Sequence, residues 1–165
     1  MNTPLPRTLE PEVMDSDADA REYNRMDHRW VNAAFVDAFF AFLIASGKRL
    51  GPLPTQDTDA DSIADIVDVG TGTALIPIEL CRRANGVRAN GAGSNGVRAN
   101  GAGSNGVRVM ATDLATAMLD LARYNVARAG LDHHIDLSHD DARSMPFADQ
   151  MFDAAISNTL LHHLD

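Results

Sequence analysis

Residues 66–80, IVDVGTGTALIPIEL, contain the pattern that decides the fold. A short apolar strand at 66–69 leads into the glycine turn GTGT at 70–73, and an apolar helix follows from 74 to 83. Pro77 fits this helix because proline is tolerated near a first turn. A buried strand that enters a helix through a glycine turn is typical of the first β–α unit of a parallel sheet.

The rest of the chain repeats this alternation. A second strand at 109–111 is followed by an amphipathic helix at 115–129, and the apolar stretches 135–138 and 152–157 predict two more strands. Alternating strands and helices predict an α/β fold with a Rossmann-like, doubly wound parallel sheet of about four strands.

The segment before the first strand predicts a helical cap. One helical pattern begins at Ser16, which has Asp19 at capping-box spacing, and ends at Gly47. A proline-containing acidic stretch follows. The predicted organisation is a tail and helical cap at 1–50, a linker at 51–62, and a partial Rossmann-like domain at 63–165.

A tandem repeat interrupts that domain at residues 85–108. It reads NGVRANGAGS twice and then NGVR, with only Val and Ala to form an apolar face. Stacked repeats need more apolar surface than this. We predict a flexible surface insert produced by duplication, since added loop length has a small entropic cost. The alternative is a basic arm in which Arg88 and Arg98 contact a partner.

The composition of the chain favours some classes of protein and disfavours others. The chain has 165 residues, of which 45% are hydrophobic and 22% charged, and this is typical of a folded globular protein. A net charge of -9 disfavours a nucleic-acid partner. Cys81 is the only cysteine, and the longest apolar stretch, 35–45, is too short to span a bilayer. We therefore expect a cytoplasmic protein with no membrane span.

Polar residues follow each predicted strand, where ligands bind in such sheets. Asp68 precedes the GTGT turn, and an acid beside a glycine turn suits an amino-acid group, with the turn N–H groups receiving its carboxylate. The dinucleotide pattern GxGxxG is broken because Leu75 stands at its third glycine, which leaves a nicotinamide cofactor as a distant alternative.

The later strand ends carry further candidates. Asp113 can accept hydrogen bonds from both hydroxyls of a ribose, or it can cap the next helix. The pair Asp140-Asp141 can accept from an adenine amino group, or it can form a solvated turn. Asn158 follows the fourth strand.

In combination these motifs resemble the class I S-adenosylmethionine-dependent methyltransferases, in particular the small-molecule branch related to quinone-biosynthesis enzymes. The resemblance is carried by EYNRMDHRWVNAAF (22–35), IVDVGTGTALIPIEL (66–80), VMATDLATAMLDLAR (109–123), DDARSMPF (140–147) and FDAAISNTLLHHLD (152–165). It implies S-adenosylmethionine as cofactor and methyl transfer to a small-molecule acceptor.

The resemblance also implies roles for ten residues. Asp68, Gly70, Thr71 and Gly72 would hold the methionine end of the cofactor, and Asp113 would bind the ribose. The adenine would be contacted by Leu114, Asp141 and Ala142. Asn158 would line the cofactor near the methyl group, and Tyr23 would make a lid contact. Ala74 stands where relatives often have a third glycine, which is a mild change.

A second departure from the family is that the chain stops after the fourth predicted strand. We expect a truncated product whose exposed fourth strand favours self-association. The alternative function is a catalytically inactive remnant that at most binds the cofactor.

His162 and His163 are weak candidates for a general base near the methyl acceptor. The alternative is that both histidines face solvent. The sequence has no metal-ligand spacing of the HExxH kind, and we predict no metal site.

Overall fold

The computed structural model describes residues 16–46, 63–84 and 106–158. These contain helices α1 (Asp17–Arg25) and α2 (Arg29–Ala45), strand β1 (Ile63–Val69), helix α3 (Leu75–Ala84), strand β2 (Gly106–Asp113), helix α4 (Thr116–Ala129), and strands β3 (Ile135–His139) and β4 (Ala154–Ile156). The strands form one parallel sheet in the order β3-β2-β1-β4. The predicted α/β, Rossmann-like class is confirmed, and the predicted linker at 51–62 lies outside the described residues.

The two central strands carry the core. Ile66 on β1 pairs with Val109 on β2 and with Ala154 on β4. Ile66 and Val109 are almost completely buried, as expected for strands covered on both faces. Helices α3 and α4 contact each other and strands β2 and β3. Leu80 of α3 and Val126 of α4 belong to the same apolar cluster as the strands, so the sheet and helices share one core.

The predicted single helix at the N-terminal end is wrong, because the structure has two helices there. Helix α1 begins at the N-cap Ser16, whose hydroxyl accepts the N–H of Asp19 at 3.2 Å, so the predicted capping residue is confirmed. The helix ends before Met26, which has extended backbone angles. Asp27 then accepts hydrogen bonds from the N–H and guanidinium of Arg29. Local side-chain bonding of this kind competes with the helical backbone and separates α1 from α2.

Strand β2 starts earlier than predicted. It begins at Gly106, so residues 106–108, predicted to be part of the repeat insert, lie in the sheet. Arg108 donates two hydrogen bonds to the carboxylate of Asp65 on β1, at 3.0 and 3.2 Å. The last partial copy of the repeat is therefore structural, whereas residues 85–105 lie outside the described residues.

Strand β4 is short and lies at one edge of the sheet. Its start is fixed by Asp153, whose N–H donates to the carbonyl of Asp65 at 2.7 Å and whose carboxylate accepts the Asp65 N–H at 2.9 Å. On its outer side, β4 has no partner strand within residues 16–46, 63–84 and 106–158. In the same part of the chain, no helix is long and apolar enough to cross a membrane.

Candidate functional site

The strand order places the candidate site at the carboxyl end of β1. The chain passes from β1 to β2 on one side and returns as β4 on the other, and ligands bind at such reversals of order in open α/β sheets. A cavity lies at this point. The residues lining it are Tyr23, Asn32, Asp68, Gly70, Thr71, Gly72, Thr73, Leu75, Ile76 and Asn158.

The glycine turn is fastened to the end of β2. The N–H groups of Gly70 and Thr71 both donate to the carbonyl of Thr112, each at 2.9 Å. The N–H of Gly72 donates to the Asp113 carboxylate at 2.7 Å. These three N–H groups therefore have partners within the chain, and they can receive a ligand carboxylate only by breaking or sharing those bonds.

The turn also requires unusual backbone angles. Gly70 and Gly72 have φ values of 74° and 57°, and Ala74 has a φ of 61°. Glycine adopts this region freely, but an alanine there costs about 1–2 kcal/mol. Ala74, which stands where relatives often have a third glycine, therefore has a backbone conformation that a glycine would adopt without strain.

Asp68 is a buried carboxylate in the cavity wall. Its side chain is almost fully inaccessible, and Oδ2 has no hydrogen-bond partner among the described residues. Burial is the main cause that raises the pKa of Asp68 to about 7; the Thr71 side chain opposes this rise, and the negative charge of Asp113 adds to it. The hydroxyl of the buried Thr73 likewise has no described partner. A buried carboxylate with an unpaired oxygen favours a cationic ligand group.

Asp113 bonds both to the glycine turn and to Ala115, the residue that precedes helix α4. One oxygen, Oδ2, accepts the Gly72 N–H, and the other, Oδ1, accepts the Ala115 N–H at 2.8 Å, just before helix α4. Each carboxylate oxygen can accept a second hydrogen bond. The side chain thus organises the glycine turn and the start of α4, and it keeps capacity for two ligand hydroxyls.

Tyr23 reaches the site from α1. This helix packs on α4 through the small buried residues Ala20 and Ala117. The Tyr23 ring lies 3.8 Å from the Cβ position that a side chain at Gly72 would occupy. Burial, followed by the negative charges of Asp113 and Asp68, raises the pKa of the Tyr23 hydroxyl.

A polar link joins α1 to the glycine turn from the other side. The Asn125 side chain on α4 donates to the Asn24 side-chain oxygen at 2.8 Å and to the Thr73 carbonyl at 2.9 Å. The Asn125 amide therefore connects α1, α4 and the glycine turn.

The residues predicted for the adenine lie apart from the cavity lining. Asp141 forms an ion pair with Arg143, at 2.6 Å for the shortest contact, and its hydrogen bonds with Arg143 lower the pKa of Asp141 to about 2. Ala142 adjoins this pair, and Leu114 is exposed beside Asp113. The Asp140 N–H donates to the Asp113 carbonyl at 3.2 Å, which connects this loop to the end of β2.

Sequence reasoning found six of the lining residues and missed four: Asn32, Thr73, Leu75 and Ile76. Asn32 carries a weak signal, because it is a polar residue within a mostly apolar helix. His162 and His163 lie outside the described residues. Within the described ranges, no group of three or more His, Cys, Asp or Glu side chains could hold a metal ion.

Comparison with known proteins agrees with this geometry. Residues 89–165 match a family described as a methyltransferase domain. A demethylmenaquinone methyltransferase from Porphyromonas gingivalis is 29% identical over 89 residues, which cover 54% of this chain and 29% of the relative. The chain therefore spans less than a third of that protein's length.

Solved structures show the same fold at low sequence identity. A proposed S-adenosylmethionine-dependent methyltransferase from Methanococcus maripaludis is 16% identical with a TM-score of 0.59, covering 96% of this chain and 57% of the other. A methyltransferase from Thiobacillus denitrificans, solved in complex with S-adenosyl-L-homocysteine, is 15% identical with a TM-score of 0.51, covering 85% of this chain and 42% of the other. Residues 89–165 thus match a methyltransferase domain, and the chain has the fold of the class I S-adenosylmethionine-dependent methyltransferases, which confirms the predicted resemblance.

Proposed function

We propose that the chain binds S-adenosylmethionine at the carboxyl end of β1 and transfers its methyl group to a small-molecule acceptor. The observation that carries this proposal is Asp68, whose buried Oδ2 lies in the wall of the cavity without a described partner. An unpaired buried carboxylate is unfavourable, and an ammonium group supplies the missing charge and hydrogen bonds. The family match and the fold support the same cofactor.

The remaining roles follow the order of the strand ends. Asp68, Gly70, Thr71 and Gly72 would surround the methionine end, and Tyr23 would cover it from α1. Asp113 would accept the two ribose hydroxyls, and Asn158 would lie near the methyl group. On the β3 side, Leu114, Asp141 and Ala142 would contact the adenine, and the ion pair with Arg143 would have to be kept or opened there.

The bound cofactor supplies an already electrophilic methyl group on its sulfonium. The work left to the protein is mainly to hold the acceptor close and in line with that group. His162 or His163 would serve as a general base only for an acceptor that must lose a proton. The relative's name, demethylmenaquinone methyltransferase, makes a quinone a reasonable first acceptor to try.

Calorimetric titration tests cofactor binding. The purified chain is titrated with S-adenosylmethionine, S-adenosylhomocysteine and NAD, and the Asp113→Ala variant is titrated in parallel. Loss of hydrogen bonds to a charged group is worth about 1.5–3 kcal/mol, so we expect affinity for the methyl donor to fall about 10- to 100-fold. Asp136→Ala on the neighbouring strand β3, an exposed site, is the matched control and should bind like the wild type.

The titration has two outcomes that would contradict the proposal. Binding of NAD alone would favour the nicotinamide alternative, and a folded chain that binds neither ligand would remove the cofactor assignment. Where the methyl donor binds, an acceptor screen that follows transfer of a labelled methyl group separates an enzyme from an inactive remnant.

We also propose that β4 mediates self-association and that the protein acts in the cytoplasm. The outer side of β4 offers backbone groups to another strand, since it has no partner within the described chain. Burial raises the pKa of the Cys81 thiol to about 12, which suits a cysteine that stays reduced in that compartment. A concentration-dependent mass in sedimentation would support the association, and a constant monomer mass would contradict it.

A further inference from the structure

The first observation is a buried amide on an apolar helix. Helix α2 reads RWVNAAFVDAFFAFLIA, and Asn32 is only 9% exposed. Its side chain lines the cavity, yet its amide makes no hydrogen bond with another residue in the described part of the chain. The amide can therefore pair with a polar group of a ligand that enters the cavity.

The second observation concerns which donors the cavity offers to an anion. Its lining contains no Lys, Arg or His side chain. The N–H groups of Gly70, Thr71 and Gly72 are bonded within the chain, so the glycine turn has no unused N–H at these three positions. The donors of the lining that have no described partner include the Thr73 hydroxyl, the Asn32 amide and the amino end of α3.

The third observation is the amino end of α3, which forms part of the same lining. Leu75 and Ile76 are the first two residues of this helix, and first-turn N–H groups have no partner within their helix. The helix dipole adds a partial positive charge at this end. Because α2 packs directly on α3, Asn32 and the first two residues of α3 line one cavity.

We propose that Asn32, together with the amino end of α3, binds the α-carboxylate of an amino-acid group whose ammonium is bound by Asp68. The inference rests on the proposed cofactor, since the amino-acid group would be the methionine end of S-adenosylmethionine. It corrects the initial expectation in one respect: the carboxylate is received by α2 and α3 rather than by the N–H groups of the glycine turn.

The test compares two ligands that differ by that amino-acid group. S-adenosylhomocysteine carries it, whereas 5′-methylthioadenosine lacks it and keeps the adenosine. Asn32→Asp replaces a donor by a negative charge of nearly the same size. We expect affinity for S-adenosylhomocysteine to fall at least about tenfold, and affinity for 5′-methylthioadenosine to stay within about twofold. Asn24→Asp is the control, because it adds the same charge outside the cavity lining and keeps the oxygen that accepts from Asn125.

A second variant separates binding from folding. Asn32→Leu replaces the unpaired amide by an apolar group of similar size, so it should unfold at the same or a higher temperature. The same variant should nevertheless lose at least about tenfold in affinity for S-adenosylhomocysteine. A merely structural role for Asn32 predicts the opposite, a lower unfolding temperature with equal effects on both ligands.

Three results would overturn the inference. One is unchanged binding of S-adenosylhomocysteine by either Asn32 variant, and another is an equal loss for both ligands. The third is a wild-type chain that binds 5′-methylthioadenosine as tightly as S-adenosylhomocysteine, which would leave the nucleoside site intact but remove the amino-acid site. Failure of the wild type to bind either ligand identifies the proposed function itself as wrong.

Discussion

At the residue scale, Asp68 shows how burial of an ionisable side chain lowers the stability of a folded protein. A carboxylate at the end of a central strand is removed from water without gaining a partner for Oδ2. The rise of its pKa from 3.8 to about 7 reflects the unfavourable burial of the charged form. A ligand that brought a positive charge to this carboxylate would stabilise the folded chain.

The raised pKa of Asp68 predicts that the stability of the protein depends on pH. Because the folded-state pKa of Asp68 is raised, the folded protein holds an extra proton, and its free energy of unfolding falls as pH rises from about 4 to about 7. The loss from this group is at most about 4 kcal/mol, since each pKa unit corresponds to about 1.4 kcal/mol. Urea unfolding at pH 5 and pH 8 measures the part of this loss that falls above pH 5, at most about 3 kcal/mol. Asp68→Asn should remove this part of the difference, whereas Asp136→Asn, at an exposed site, should keep it; equal pH profiles for wild type and Asp68→Asn would contradict the assignment.

The residues that sequence reasoning found and those it missed differ in one physical respect. Asp68, Asp113 and Asn158 follow strands directly, and parallel strands bring their carboxyl ends to one edge. Asn32 lies on a helix whose rotation relative to the sheet depends on packing of the whole apolar surface. No local spacing in the sequence fixes that rotation.

At the element scale, the Asn125 amide provides the polar attachment of α1 to the glycine turn in the described part of the chain. Asn125→Ala removes the hydrogen bonds to Asn24 and to the Thr73 carbonyl, worth about 1 kcal/mol each. We expect the α1 amides to exchange hydrogen about tenfold faster or more, while amides of β1 and β2 change much less. Hydrogen-exchange mass spectrometry measures both. Arg123→Ala, which removes only an exposed ion pair on the same helix, should leave α1 exchange unchanged, and equal acceleration in both variants would argue against the link.

The elements also show where local patterns stop being informative. Strands and helices of the sheet are recovered because their apolar runs are bounded by glycine, as at Gly130, which ends α4 in the left-handed region. The break between α1 and α2 has no glycine or proline; it depends on Asp27 bonding to Arg29. The start of β2 inside the repeat depends on pairing with β1 and on the Arg108–Asp65 contact. Both depend on partners that the local pattern does not reveal.

At the scale of the whole molecule, the repeat predicts tolerance to a change in chain length. Helix α3 ends at Ala84 and β2 begins at Gly106, so deletion of residues 85–94, one NGVRANGAGS copy, leaves both elements and the Arg108 contact in place. The entropy of loop closure changes with the logarithm of its length, by less than about 1 kcal/mol. Unfolding temperature and ligand affinity should match those of the wild type. A clear loss of affinity or of unfolding temperature would contradict this prediction.

The strand order has a consequence for how the sheet is assembled. Strands β1, β2 and β3 are neighbours both in sequence and in space, whereas β4 must cross back to the far side of β1, 88 residues away at the Asp65–Asp153 contact. Pairings between distant parts of a chain form later, because closing a long loop must precede the contacts that stabilise it. On a ribosome, β1 and β2 are synthesised well before β4. The glycine turn can therefore be fastened to β2 before the last wall of the cavity, at Asn158, is in place.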